Sequence, residues 1–217
     1  LTLTTPAAVL AAEATATGWG QSAQARVTLT AADLSRLSAL AGKPLAGTAT
    51  LTADAAVAPG GSVRVGGVTL DSPYVRLTDG RVVLADGRLD AAVSVQAEDL
   101  SVLAPLAGVP LAGGAVVAVT AAGPLDALAV EAKVETRDLV ASGRTLGRVT
   151  LSATAAGLPQ TPAGTVQAGA MLEGQTLALN GAYALSGDTL RLSDLVLTAG
   201  RNRIGGGVTV ALSTLCL

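Results

Sequence analysis

Along most of the chain, apolar and polar residues alternate with a period of two. Over residues 128–137, Leu128, Val130, Ala132 and Val134 separate from Glu131, Lys133, Glu135 and Arg137. Over 47–57, Ala49, Leu51, Ala53, Ala55 and Val57 separate from Thr48, Thr50, Thr52 and Asp54. Successive side chains of a strand point to opposite faces, so this pattern predicts half-buried strands with one wet face. The same alternation covers residues 24–31, 62–65, 89–98, 145–156, 165–172, 176–183 and 189–197. Asp79-Gly80 and Asp86-Gly87 predict tight hairpins, while Pro59-Gly60-Gly61 and Ser186-Gly187-Asp188 predict longer returns. The fold class expected is all-β: an antiparallel meander of about a dozen short strands.

Two segments break the alternation, and they are copies of each other. DLSRLSALAGKPLAG at 33–47 aligns without gaps to DLSVLAPLAGVPLAG at 99–113, an offset of 99 − 33 = 66 with 11 of 15 positions identical. Flanking strand positions align as well: Val27, Leu29 and Ala31 with Val93, Val95 and Ala97, then Leu51 and Ala53 with Val117 and Val119. Within each copy the grammar is that of a short helix. Asp33 or Asp99 caps the start, leucines at 34, 37 and 40, or 100, 103 and 106, share a face, and Gly42 or Gly108 followed by Pro44 or Pro110 stops it. Two turns are too short to hold alone in water and must dock on an apolar surface. The reading is one elongated repeat region over 1–217, with units at about 23–88 and 89–154 and further strands over 155–217.

Composition sharpens the picture. Half of the 217 residues are hydrophobic, yet aromatics make up 1% (Trp19, Tyr74 and Tyr183), and glycines number 26. Apolar mass therefore comes from Ala, Val and Leu. A dozen strands with one greasy face need a second sheet, closure into a barrel, or curling into a trough. Small side chains plug poorly and favour a long curved sheet, a U-shaped groove.

The chemistry of most enzymes is missing. There is no His, and Cys216 stands alone, so neither a disulfide framework nor a cysteine-based metal site is expected. Net charge is −2, with single charges spread along the chain, which excludes a basic nucleic-acid stripe. Gly18-Trp19-Gly20-Gln21-Ser22-Ala23 fits G-x-G-x-x-A but lies between strand-like stretches with no helix after it, and is read as a turn. Asp79, Asp86 and Asp90 lie beside Arg81 and Arg88 in glycine turns and lack the calcium-loop spacing. Residues 100–125 carry no charge, yet Pro105, Pro110, Pro124 and four glycines interrupt them, and their partner copy holds Arg36, Lys43 and Asp54; a membrane span is not expected. The chain is expected to be a piece of a longer protein, non-enzymatic and without cofactor or metal.

The two motif copies at 33–47 and 99–113, with the strand link at 122–127, resemble the TamB-like translocation and assembly module proteins of the AsmA-like superfamily. That resemblance implies a β-taco, a long sheet folded into a U around a hydrophobic groove. It implies a periplasmic location, tethered to the inner membrane through a segment outside this chain, and pairing with a BamA-type outer-membrane barrel through other parts. It implies phospholipid transport, or assembly of outer-membrane and autotransported proteins. The segment at 213–217 departs from the family's C-terminal domain, so barrel contact does not carry over to this piece.

The wall of such a groove is expected from Val27, Leu29, Leu51, Ala53, Val93, Val95, Val117, Val119, Val130, Val134, Val149, Leu151, Leu177 and Leu179, with phospholipid acyl chains as the partner. Ordinary core packing would produce the same alternation. The competing function is a structural β-solenoid or adhesin-type passenger repeat of a surface or secreted protein.

Overall fold

A computed structural model describes residues 2–4, 9–17, 22–38, 45–103, 109–172 and 174–211. The chain forms one fifteen-stranded sheet in which every pair is antiparallel. The first eight strands are β1 (Thr2–Thr4), β2 (Val9–Thr17), β3 (Ser22–Ala31), β4 (Ala49–Val57), β5 (Val63–Asp71), β6 (Arg76–Ala85), β7 (Arg88–Ala97) and β8 (Leu111–Pro124). They are followed by β9 (Leu128–Ala141), β10 (Arg144–Gly147), β11 (Val149–Leu158), β12 (Ala163–Leu172), β13 (Gln175–Ser186), β14 (Thr189–Ala199) and β15 (Asn202–Ala211). Strand order follows the sequence, except that β9 pairs with β11 and the short β10 folds back onto β9.

The strands are those that alternation demands, and the turns between them follow local chemistry. Asp86 and Gly87 both take positive φ, at 49° and 68°, the geometry of a two-residue hairpin whose twist suits its strands. Ser186-Gly187-Asp188, expected as a longer return, is a two-residue turn with Ser186 paired to Thr189 and Gly187 at positive φ, and the Pro59–Gly61 return closes with Ala58 N–H donating to Ser62 O at 3.0 Å. The β8–β9 link at Leu125, Asp126 and Ala127 is fixed by Ala127 N–H donating to Pro124 O at 3.0 Å.

Several expectations are corrected. Asp79-Gly80 makes no hairpin; it lies inside β6, where the pairing with β5 and β7 shifts register. A methyl on Gly80 would meet Val68 Cβ at 2.9 Å, so this glycine permits close strand approach at a bulge. The true β5–β6 turn lies earlier, where Val75 N–H donates to Ser72 Oγ at 3.1 Å. Residues 145–156 are two strands, broken at Arg148, and β1, β2 and β15 add to the expected set.

Among the described residues the two expected α-helices are not borne out: each motif opens with a 3-10 turn, at Leu34–Leu37 and at Leu100–Leu103, and the remainder of each expected helix lies outside the described residues. The Asp33 carboxylate accepts from Ser35 N–H at 2.9 Å and that of Asp99 from Ser101 N–H at 2.8 Å, two residues on, which tightens the chain at once. Leu34 N–H, which as the first helical donor has no partner within the turn, bonds to Gly47 O at 2.8 Å. The stop signals at Gly42, Pro44 and Gly108 lie outside the described residues, as do Leu40, Leu106, Cys216 and the Gly18–Gln21 turn.

Among the described residues, no second layer covers the sheet. Strands pack on their immediate neighbours, with β10 also touching β12 and the second 3-10 turn touching β8. The surface exposed is 13673 Å², against about 9,000 Å² for a compact monomer of this mass. Among the described residues, the buried hydrophobic side chains are Ala31, Leu34, Ala97 and Leu100. All four belong to the two repeat copies. Each motif tucks its first leucine in at one margin of the sheet, beside an alanine that is itself buried.

Candidate functional site

The sheet register converts the alternation into a continuous surface. Leu29, Leu51, Leu70, Leu77, Val95 and Val117 stand directly opposite one another in turn, each strand to the next. The row goes on through Val134, Leu151, Ala168, Leu179, Leu197 and Ile204. Backbone register extends it the other way to Leu10 and Leu3. Adjacent strands lie about 4.8 Å apart, so the row from β3 to β15 runs for about 50 Å without a polar side chain.

Flanking rows keep the same character. One carries Val27 and Ala53 on β3 and β4, then Val93, Val119, Ala132, Ala153 and Val166 on β7 to β12. The next carries Ala25, Ala55, Val65, Val82, Ala91, Ala121 and Val130. On the other side, Val149 faces Ala170, which faces Leu177. All fourteen residues expected to line a wall therefore share one face. Sequence reasoning left out Leu70, Leu77, Leu197 and Ile204, whose row membership depends on register rather than local pattern.

This face is open to solvent. Leu151 is 40% exposed, Leu179 38%, and Ile204, on the last strand, 69%. Toward the C-terminal strands it dips into an apolar concavity of about 300 Å³ lined by Val166, Leu179, Tyr183, Leu192 and Leu195 among others. Leu195 lies over Gly181, where a methyl would meet Leu195 Cδ2 at 2.6 Å.

The opposite face carries the charges. Arg26 Nε and Asp54 Oδ1 pair at 2.7 Å across β3 and β4, Arg81 and Asp90 at 3.4 Å across β6 and β7, and Lys133 Nζ reaches Glu131 Oε1 at 2.8 Å along β9. Hydrogen bonding to the Arg26 guanidinium holds the Asp54 carboxyl below the usual carboxylate range. Thr52 and Thr69 hydroxyls meet at 2.6 Å on this same face. These pairs are solvated; they keep the face wet and mark the register more than they stabilise it. Among the described residues, no three His, Cys, Asp or Glu side chains gather to hold a metal ion, and no helix is long and apolar enough to cross a membrane.

The fold and its face together define a class: a single-layer antiparallel repeat sheet, aliphatic on one side and charged on the other. The chain matches no family model, no curated protein and no solved structure.

Proposed function

We propose that this chain is a segment of a TamB-like bridge whose apolar face carries phospholipid acyl chains through the periplasm between inner and outer membrane. The observation that supports this reading best is the unbroken aliphatic row through successive strands, with no layer over it among the described residues. A single methylene shielded from water is worth about 0.8 kcal/mol, so a roughly sixteen-carbon chain would lose about 12 kcal/mol on leaving such a surface for water. Along the row that loss is not incurred at any step, because each strand offers the next equivalent aliphatic contact. Small Ala, Val and Leu side chains give no deep trap.

A U-shaped trough is part of the proposal. Register shifts recur at one level of the sheet: around Gly66 and Gly67 on β5, Asp79 and Gly80 on β6, and Ser193 and Asp194 on β14. Bulges bend the strand that carries them, and bends at a common level fold a sheet along a line parallel to its row. Assembly of outer-membrane or autotransported proteins by the same face is the related cargo. The passenger-solenoid alternative loses ground because its coils stack in parallel register, whereas every pair here is antiparallel.

The test is direct. A photo-crosslinking residue at Val117 should capture phospholipid tails in the periplasm of a diderm bacterium, while one at Lys133 on the opposite face should not. Equal capture at both positions, or none at Val117, sinks the reading.

A further inference from the structure

The two margins of the apolar face differ, and the difference points to where a headgroup sits. Motif turns close one margin at β3–β4 and again at β7–β8, burying Ala31, Leu34, Ala97 and Leu100. Beyond β8 that margin carries no such cap among the described residues. There the β9–β10 hairpin leans toward β12 and leaves a cleft of about 590 Å³, with Arg144, Arg148, Met171 and Leu172 in its lining and Gly143, Gly147 and Gly174 leaving backbone accessible. Met171 is 56% exposed. Among the described residues, the guanidinium of neither Arg144 nor Arg148 has an ion-pair or hydrogen-bond partner. Arg148 is followed directly by Val149, which begins the apolar row Val149, Ala170, Leu177. Carboxylates sit at both margins, Asp86, Asp126 and Asp188 in turns at the opposite one and Asp33, Asp71, Asp99 and Asp138 along this one, so the arginine cleft is a local feature of its margin.

We propose that Arg144 and Arg148 seat the phosphate of a phospholipid headgroup at this uncapped margin, with the acyl chains lying over Val149, Ala170 and Leu177. The inference rests on the acyl-carrying reading above and adds to it a place for the headgroup, the arginine cleft on the stretch of this margin beyond the motif caps. The chemistry is that of guanidinium and phosphate, whose planar fork and tetrahedral oxygens match in charge and in two-point geometry. Met171 and Leu172 shield the glycerol side of the phosphate, and the exposed glycines allow close approach. A neutral lipid offers the two cations no anion, only hydroxyl and ester oxygens that form weaker, uncharged contacts.

The experiment loads the full chain from vesicles of phosphatidylglycerol carrying a trace of tail-labelled phosphatidylglycerol or tail-labelled diacylglycerol, and measures label on the re-isolated protein. Wild type should retain both. An Arg144→Gln/Arg148→Gln variant with an unchanged far-ultraviolet spectrum should retain about tenfold less phosphatidylglycerol, the loss expected for a charge-assisted contact, while diacylglycerol retention holds. Arg144→Lys/Arg148→Lys should fall between, since it keeps charge without the fork. Retention of neither lipid by wild type overturns the acyl-carrying reading and the seat with it. Retention of both lipids unaltered by the Gln pair overturns the seat alone, as does equal loss of the two. Binding of inorganic phosphate by wild type, abolished in the Gln pair with phosphatidylglycerol retention unchanged, assigns the cleft to a free anion and also overturns the proposal.

Discussion

Gly113 on β8 backs onto the carbonyl oxygen of Arg137 on β9: a methyl at Gly113 would meet that oxygen at 2.5 Å. Its φ is +105°, and Gly47, at the same place in the other motif copy, has φ +91° with the ring of Pro73 behind it. The last glycine of the motif is thus required twice over, by conformation and by space. Gly113→Ala should cost about 2–3 kcal/mol, backbone strain plus the clash, and lower the denaturation midpoint. Gly60→Ala, with positive φ but open space, should cost less; equal costs would remove the packing part of the argument.

Thr136 is the buried polar side chain of the described sheet, and its hydroxyl serves the strand next door. It accepts from Val149 N–H at 2.9 Å and lies 3.4 Å from Val149 O, just where β11 begins to pair with β9. Thr136→Val keeps the shape but strands those backbone groups, and should destabilise by about 1–3 kcal/mol in chemical denaturation. Thr136→Ser should recover most of it.

On the apolar face, Val95→Asp and Leu151→Asp should leave the strand spectrum intact, because water reaches these positions in the absence of a second layer. The same variants should abolish tail crosslinking at Val117, by placing a carboxylate in the row on either side of it. Unfolding of both variants would mean that the row is sealed core.

The two motif caps should respond to acid. The Ser35 hydroxyl and amide lower the carboxyl pKa of Asp33, and the Ser101 amide and hydroxyl lower that of Asp99. A folded-state value below the unfolded one means the stabilisation is present above about pH 5 and disappears as the pH falls through the lowered values. Asp33→Asn/Asp99→Asn should therefore be less stable than wild type at neutral pH, and the gap should close on acidification, as followed by denaturation at a series of pH values.

Much of this was legible in the chain, and the remainder has identifiable causes. Alternation puts Val27, Leu29, Val117 and Val134 on one face because period two is a property of each strand by itself. Register is not: that Leu70 faces Leu77 and Leu77 faces Val95 depends on bulges at Gly67 and Gly80, where one extra residue resets the count. Asp79-Gly80 carried hairpin chemistry but was held in β6 by pairing on both sides, tertiary context overriding a local preference. Of each expected helix only the opening falls within the described residues, and there Leu34–Leu37 and Leu100–Leu103 are 3-10 rather than α. Ile204, Val208 and Val210 were hidden by the run Gly205-Gly206-Gly207, which interrupts the pattern without interrupting the strand. The arginine cleft had no sequence signal, since Arg148 and Met171 meet only through the fold.

Each strand bonds only to those beside it in sequence, apart from the short detour of β10, so the structure grows in one direction like a ladder gaining rungs. One repeat length carries the chain from β3 to β7, four strands on. Inserting another such block would lengthen the molecule by about 19 Å and leave every existing rung where it is. Reach is therefore set by copy number: genes that gain or lose a block change the span of the ruler while keeping its greased side continuous.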